Sequence, residues 1–109
     1  MTTENALLTR LNNMLAAGTD NALLRFSLGQ AHLGAGEPAL AVEHLEQAVQ
    51  FDENYSAAWK MLGKALGDCG RTQDAMLAYE QGITVAQARG DMQAAREMEV
   101  FLKRLRRTA

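Results

Sequence analysis

Apolar positions along the chain fall into stretches of helical length, separated by short polar or glycine-bearing breaks, and the breaks predict six helices. The first stretch runs from about Glu4 to Ala17 and stops at Gly18, a residue suited to the left-handed conformation that closes a helix. Asp20 and Asn21 offer N-caps for a second helix that ends near Leu33 and Gly34. Gly36-Glu37-Pro38 reads as a turn that puts proline in the first turn of a third helix, where its missing N–H costs nothing. That helix ends near Phe51, and Asp52-Glu53-Asn54 makes the connection to a fourth, from Ser56 to Asp68. Gly70 breaks the pattern, Thr72 offers a cap for a fifth helix reaching Arg89, and Gly90-Asp91 opens a sixth that runs to about Arg107.

The pattern also repeats. At an offset of 34 residues Leu28 aligns with Leu62, Gly29 with Gly63, Ala31 with Ala65, Gly36 with Gly70, Ala41 with Ala75, Glu46 with Glu80 and Gln47 with Gln81. Near-matches fill the gaps: Leu45 with Tyr79, Ala48 with Gly82, Val49 with Ile83 and Phe51 with Val85. The small residues have a packing reason. A Leu-Gly pair on the first helix of each hairpin removes a side chain so that the second can approach, and Ala41 and Ala75 do the same from the opposite side. Trp59, Leu62, Leu66, Tyr79 and Ile83 fill the space around that contact, and a hairpin of this kind must stack on neighbours to bury its apolar face.

The second copy, with Trp59, Leu62-Gly63, Leu66, Ala75, Tyr79 and Gly82, resembles the tetratricopeptide repeat signature. The first copy matches through Leu28-Gly29, Ala41, Leu45 and Ala48 but has Arg25 where the tryptophan would stand, and Glu53 and Gln87 occupy the places of the usual late proline. The resemblance covers about Ala22 to Arg89 and implies an all-α fold of antiparallel hairpins stacked as a short right-handed superhelix. The expected organisation is one domain: residues 1–18 as an N-terminal half-repeat, 22–55 and 56–89 as the two repeats, and 91–107 as a capping helix. Subtracting the same offset from Ala41, Leu45 and Ala48 gives Leu7, Leu11 and Met14, so the first helix is expected to imitate a second-of-pair helix along that stripe. The sixth helix carries Arg96-Glu97 where Leu-Gly would fall; its Met98, Phe101, Leu102 and Leu105 suit a cap with one dry face and one wet face.

Composition supports the helical reading and narrows the function. With 109 residues, 48% hydrophobic and 22% charged, the chain is too apolar for disorder and long enough for one modest core. Its formal net charge of −2 gives no general attraction to nucleic acid or anionic membranes. The charge is polarised, however. Residues 1–57 hold seven acids against Arg10 and Arg25, a net −5, while residues 58–109 hold nine bases against six acids, a net +3. The single cysteine, Cys69, cannot form an internal disulfide. Met1-Thr2-Thr3-Glu4-Asn5 lacks the basic and apolar regions of a signal peptide, and no apolar run approaches membrane-spanning length, so a cytoplasmic location is the expectation.

No catalytic motif emerges, so no enzyme activity and no cofactor or metal is expected. Gly34-Ala35-Gly36 lacks the lysine and preceding strand of a phosphate loop. His32 aligns with Leu66 and reads as a packing histidine, His44 aligns with Ala78 and reads as exposed, and Cys69 beside Asp68 has no base in register. The six methionines suit adaptable packing.

The resemblance implies a protein or peptide partner, held on a concave face lined by the first helix of each pair. The outward positions there are Leu23, Phe26, Gln30 and Leu33, then Ala57, Lys60, Lys64 and Asp68: a greasy strip beside a basic one, suited to a helix or to an extended segment with apolar and acidic residues. A solvated helix face would show the same lysines, and Leu23 and Phe26 could instead pack on the first helix. The carboxylate clamp of some family members is not expected, because Phe26, Gln30 and Met61 stand at its places. Lys103-Arg104-Leu105-Arg106-Arg107 complements the dipole at a helix C-terminus or meets an acidic surface. Without interleaved aromatic residues it is a poor nucleic-acid site. Self-association through the terminal repeat faces, as a structural scaffold or homo-oligomer, is the alternative function.

Overall fold

The computed structural model describes residues 3–108, apart from the Glu4 side chain. Met1, Thr2 and Ala109 lie outside the described residues, and with them the ends of the expected domain boundaries and part of the N-terminal segment read above. Among the described residues six helices follow one another: α1 (Thr3–Ala16), α2 (Ala22–Gly34), α3 (Pro38–Phe51), α4 (Ser56–Asp68), α5 (Thr72–Ala88) and α6 (Met92–Thr108). Among the described residues there is no strand.

Local chemistry sets the helix ends. The Asn21 side chain accepts a hydrogen bond from the Leu24 N–H at 2.8 Å and so caps α2. Its neighbour Asp20 instead pairs with Arg25, at 2.8 and 2.9 Å. Asp91 caps α6 through the Ala94 N–H at 3.2 Å. Thr72 does not cap α5: it is the first residue inside the helix, and Arg71 precedes it without a side-chain cap. Past the C-termini of α2 and α4 the chain closes in the same way. Gly36 and Gly70 adopt φ of 75° and 77°, and the N–H groups of Glu37 and Arg71 return to the carbonyls of His32 and Leu66, each at 2.9 Å. The 34-residue repeat thus extends to its hydrogen bonds.

The hairpins α2–α3 and α4–α5 are held by side chains that glycine leaves room for. A Cβ placed on Gly29 would lie 2.6 Å from Leu45 Cδ2, and one on Gly63 would lie 2.5 Å from Tyr79 Cε1. Leu28, Ala41, Leu45, Ala48 and Ala75 are completely buried, and Leu62 and Leu66 nearly so. Gly82 plays the corresponding part between α5 and its neighbours, because a Cβ there would meet Met98 Sδ at 2.5 Å and Trp59 Cβ at 2.8 Å. The Trp59 indole N–H donates to the Glu53 carbonyl at 2.9 Å.

The flanking helices differ from each other. α6 docks on α5 with Ala95, Met98 and Leu102 buried and Phe101 and Leu105 half-buried. Among the described residues α1 rests on α2 alone, through Leu8, Leu11 and Leu15 against Leu24, Leu28 and Ala31. The expected stripe of Leu7, Leu11 and Met14 is therefore only one-third right: Leu7 and Met14 are exposed. A second-of-pair helix would cover those two with its own first helix, and α1 has none before it among the described residues.

His32 is buried, as a packing histidine should be, with its Nδ1 3.1 Å from Glu37 Oε1. His44 is half-buried, contrary to the exposed position read for it. Its ring stacks on His32 with centroids 5.3 Å apart, and Arg25 donates to its Nδ1 at 3.1 Å. Burial, the first cause, together with the neighbouring His32 and Arg25, holds its pKa below the ordinary histidine value. Cys69 is a half-buried residue packed against the core at the end of α4.

Candidate partner-binding groove

α2, α4 and α6, the leading helices of the stack, line one side of the molecule and enclose a cavity of about 470 Å³. Its base is bare because of two glycines one turn apart on α4. Without a side chain at Gly63, the Tyr79 ring reaches through from α5 to form part of the floor. At Gly67 an added Cβ would meet nothing within 4 Å, so the groove is open directly above it. Apolar walls rise from both sides: Phe26 on α2, whose ring lies 5.0 Å from that of Tyr55, Met61 on α4, and Phe101 and Leu105 on α6. The Phe101 ring also leans on Tyr79, with centroids 5.7 Å apart.

Charged groups occupy the rim. Lys60 forms an ion pair with Glu97 that ties α4 to α6, and this hydrogen bond is the main reason the Glu97 carboxyl stays below its usual pKa. Lys64 pairs with Asp68 at 3.3 Å along α4. Arg104 holds its guanidinium over the Phe101 ring, 6.0 Å from the centroid, and has no carboxylate partner among the described residues. The Tyr79 hydroxyl has no hydrogen-bond partner among the described residues either. Burial, and then the nearby Asp68, push its pKa up to about 12, so it is a neutral donor throughout the physiological range.

Family models for the tetratricopeptide repeat match residues 22–65 and 56–89. Over 97 residues the chain is 52% identical to TPR repeat-containing protein PA0015 of Pseudomonas aeruginosa, covering 89% of this chain and 92% of that protein. The chain belongs to the tetratricopeptide repeat family. Among solved structures it is similar to protein BPP2914 from Bordetella parapertussis, with a TM-score of 0.83 and 45% identity over 99% of this chain and 91% of that one. A tetratricopeptide repeat domain protein from Salinibacter ruber matches with a TM-score of 0.73 and 29% identity, over 80% of this chain and 97% of that one. The all-α repeat fold read from the sequence is thus the fold of the chain, and tetratricopeptide domains generally bind other proteins and typically do not catalyse.

Of the residues read from sequence for the concave face, Phe26, Lys60 and Lys64 line the cavity, together with Ala57 and Asp68. Leu33 is half-buried against the core, and Leu23 and Gln30 are exposed outside the cavity lining. The sequence assigns Phe101 and Leu105 to the dry face of a cap, and Arg104 to the helix dipole or an acidic surface, and places none of them in the groove, yet all three border it. Tyr79 was legible only as a repeat-signature residue, because its exposure to the groove depends on the missing side chain at Gly63. Among the described residues no three His, Cys, Asp or Glu side chains converge to hold a metal, and no helix is long and apolar enough to cross a membrane.

Proposed function

We propose that the chain is a non-catalytic adaptor that holds a peptide or helix of a partner protein in the groove between α2, α4 and α6, and that it does so in the cytoplasm. The observation carrying this reading is the floor made by the Tyr79 ring under Gly63 and by open Gly67, flanked by Phe26, Met61, Phe101 and Leu105. Apolar side chains left around an open floor, rimmed by charge, are the arrangement that docks an amphipathic segment.

A filling substitution tests the reading directly. Gly67→Leu adds a side chain where a Cβ meets nothing within 4 Å, and so obstructs the groove. Captures from a lysate of the native cell should yield a protein with the wild-type chain that is lost with Gly67→Leu, while circular dichroism of the two chains stays the same. A partner retained equally by both would sink the groove as the binding site.

Self-association is a second reading, supported by Leu7 and Met14 exposed on α1 and Val100 exposed on α6. Sedimentation would show it as a mass that rises with concentration and returns to that of one chain when Leu7 and Met14 are both changed to Gln.

A further inference from the structure

Two groups bordering the groove have no side-chain hydrogen-bond partner among the described residues. Arg104 is a cation with no carboxylate partner among the described residues, and its stacking on Phe101 leaves the edge of the guanidinium open to a planar, doubly accepting group. Tyr79 is 5% exposed and lines the same cavity, and its hydroxyl lacks a partner among the described residues. No described polar side-chain atom is sealed from solvent without a hydrogen bond, so this hydroxyl still reaches accessible surface. Lys60 and Lys64, by contrast, are already answered by Glu97 and Asp68. The electrostatic demand of the groove is therefore concentrated at Arg104, and a hydrogen-bond donor waits on the floor.

Resting on the groove reading above, we propose that the occupant is an acidic amphipathic segment of a partner protein. One large apolar side chain of the segment sits over Gly67 between Phe26 and Phe101, its carboxylate pairs with Arg104, and an oxygen of the same segment accepts from the Tyr79 hydroxyl. The apolar anchor supplies most of the affinity, and the carboxylate selects which segments enter. Charge complementarity favours this occupant over a neutral or basic one, because the half of the chain that supplies α4 and α6 carries the excess of bases.

A random 12-residue peptide library selected on the immobilised full chain tests this, with Gly67→Leu and, as a second block at an exposed rim position, Ala57→Trp as controls. Recovered peptides that lose binding on either blocked chain should pair Asp or Glu with Phe, Trp or Leu. Fluorescence anisotropy should then show about tenfold weaker binding to Arg104→Gln, as for a charge-assisted hydrogen bond. Replacing the peptide's Glu by Gln should cost the same, and combining the two changes should cost no more than either alone. Tyr79→Phe, checked for folding by circular dichroism, should weaken binding roughly fivefold. Block-sensitive peptides that lack acids, or that bind Arg104→Gln as well as wild type, would overturn the acidic chemistry while leaving the groove reading intact. If no recovered peptide responds to either block, the groove reading fails and this inference falls with it.

Discussion

The glycines of α4 show how a missing side chain does different work one turn apart. At Gly63 the absent Cβ is replaced by the Tyr79 ring, so Gly63→Ala must push a buried aromatic aside and should destabilise the chain by roughly 1–3 kcal/mol. At Gly67 nothing stands in the space, and Gly67→Ala should leave stability unchanged or raise it by up to about 1 kcal/mol, since alanine is the better helix former. Urea titration of both variants checks the pair; equal effects would contradict the geometry. The stacked histidines make a second prediction. The pKa of His44 is depressed in the folded chain, so between its folded pKa and 6.5 the unfolded chain binds the proton more readily. The contribution of this residue to stability is full above pH 6.5 and is lost as the pH falls through the depressed value. The thermal unfolding midpoint should fall as the pH is lowered from 7.5 to 5.5, and His44→Gln should flatten that dependence. Alignment with Ala78 says where His44 stands in its helix, not that His32 on the facing α2 turns its ring toward it.

At the scale of the element, what was readable depended on whether a helix had the neighbours its register assumes. α2 to α5 have them: α2 and α4 share their bounds and their glycine closure at the 34-residue offset, and α3 and α5 share their start, although α5 runs on to Ala88 where the repeat of Phe51 would end it at Val85. α1 lacks one side of its surroundings and exposes Leu7 and Met14; α6 meets α5 as expected but also turns Phe101, Arg104 and Leu105 toward the groove. On its other side α6 seats Met98 against Gly82, a contact between residues with no shared motif. The N-cap of α2 is a local matter by comparison. Asn21→Ala removes the hydrogen bond to Leu24 and should cost about 1 kcal/mol, read as a lower urea midpoint with an unchanged slope.

As a whole molecule the chain is a short stack, 40 × 28 × 19 Å, in which each helix pair touches mainly its neighbours. Such a stack depends on its ends. Ending the chain at Gly90 would remove Met98 and Leu102 from burial against α5, a loss of about 1.5–3 kcal/mol for each against a total near 5–15 kcal/mol for a domain of this kind. It should also expose the Tyr79 ring to water and demolish one wall of the groove, so the truncated chain should melt at markedly lower urea. The stack brings Phe26, Tyr79 and Arg104 together from three helices of the chain, and no pattern in the sequence announces that meeting. The measurement that bears most directly on it is a two-dimensional amide NMR titration of the full chain with the tightest peptide from the selection. Binding in the groove predicts shift changes centred on Phe26, Met61, Gly67, Tyr79 and Phe101, with the outer faces of α3 and α5 unmoved. Changes centred on α1, or on the exposed residues Phe51 and Leu77 of those outer helices, would contradict the account.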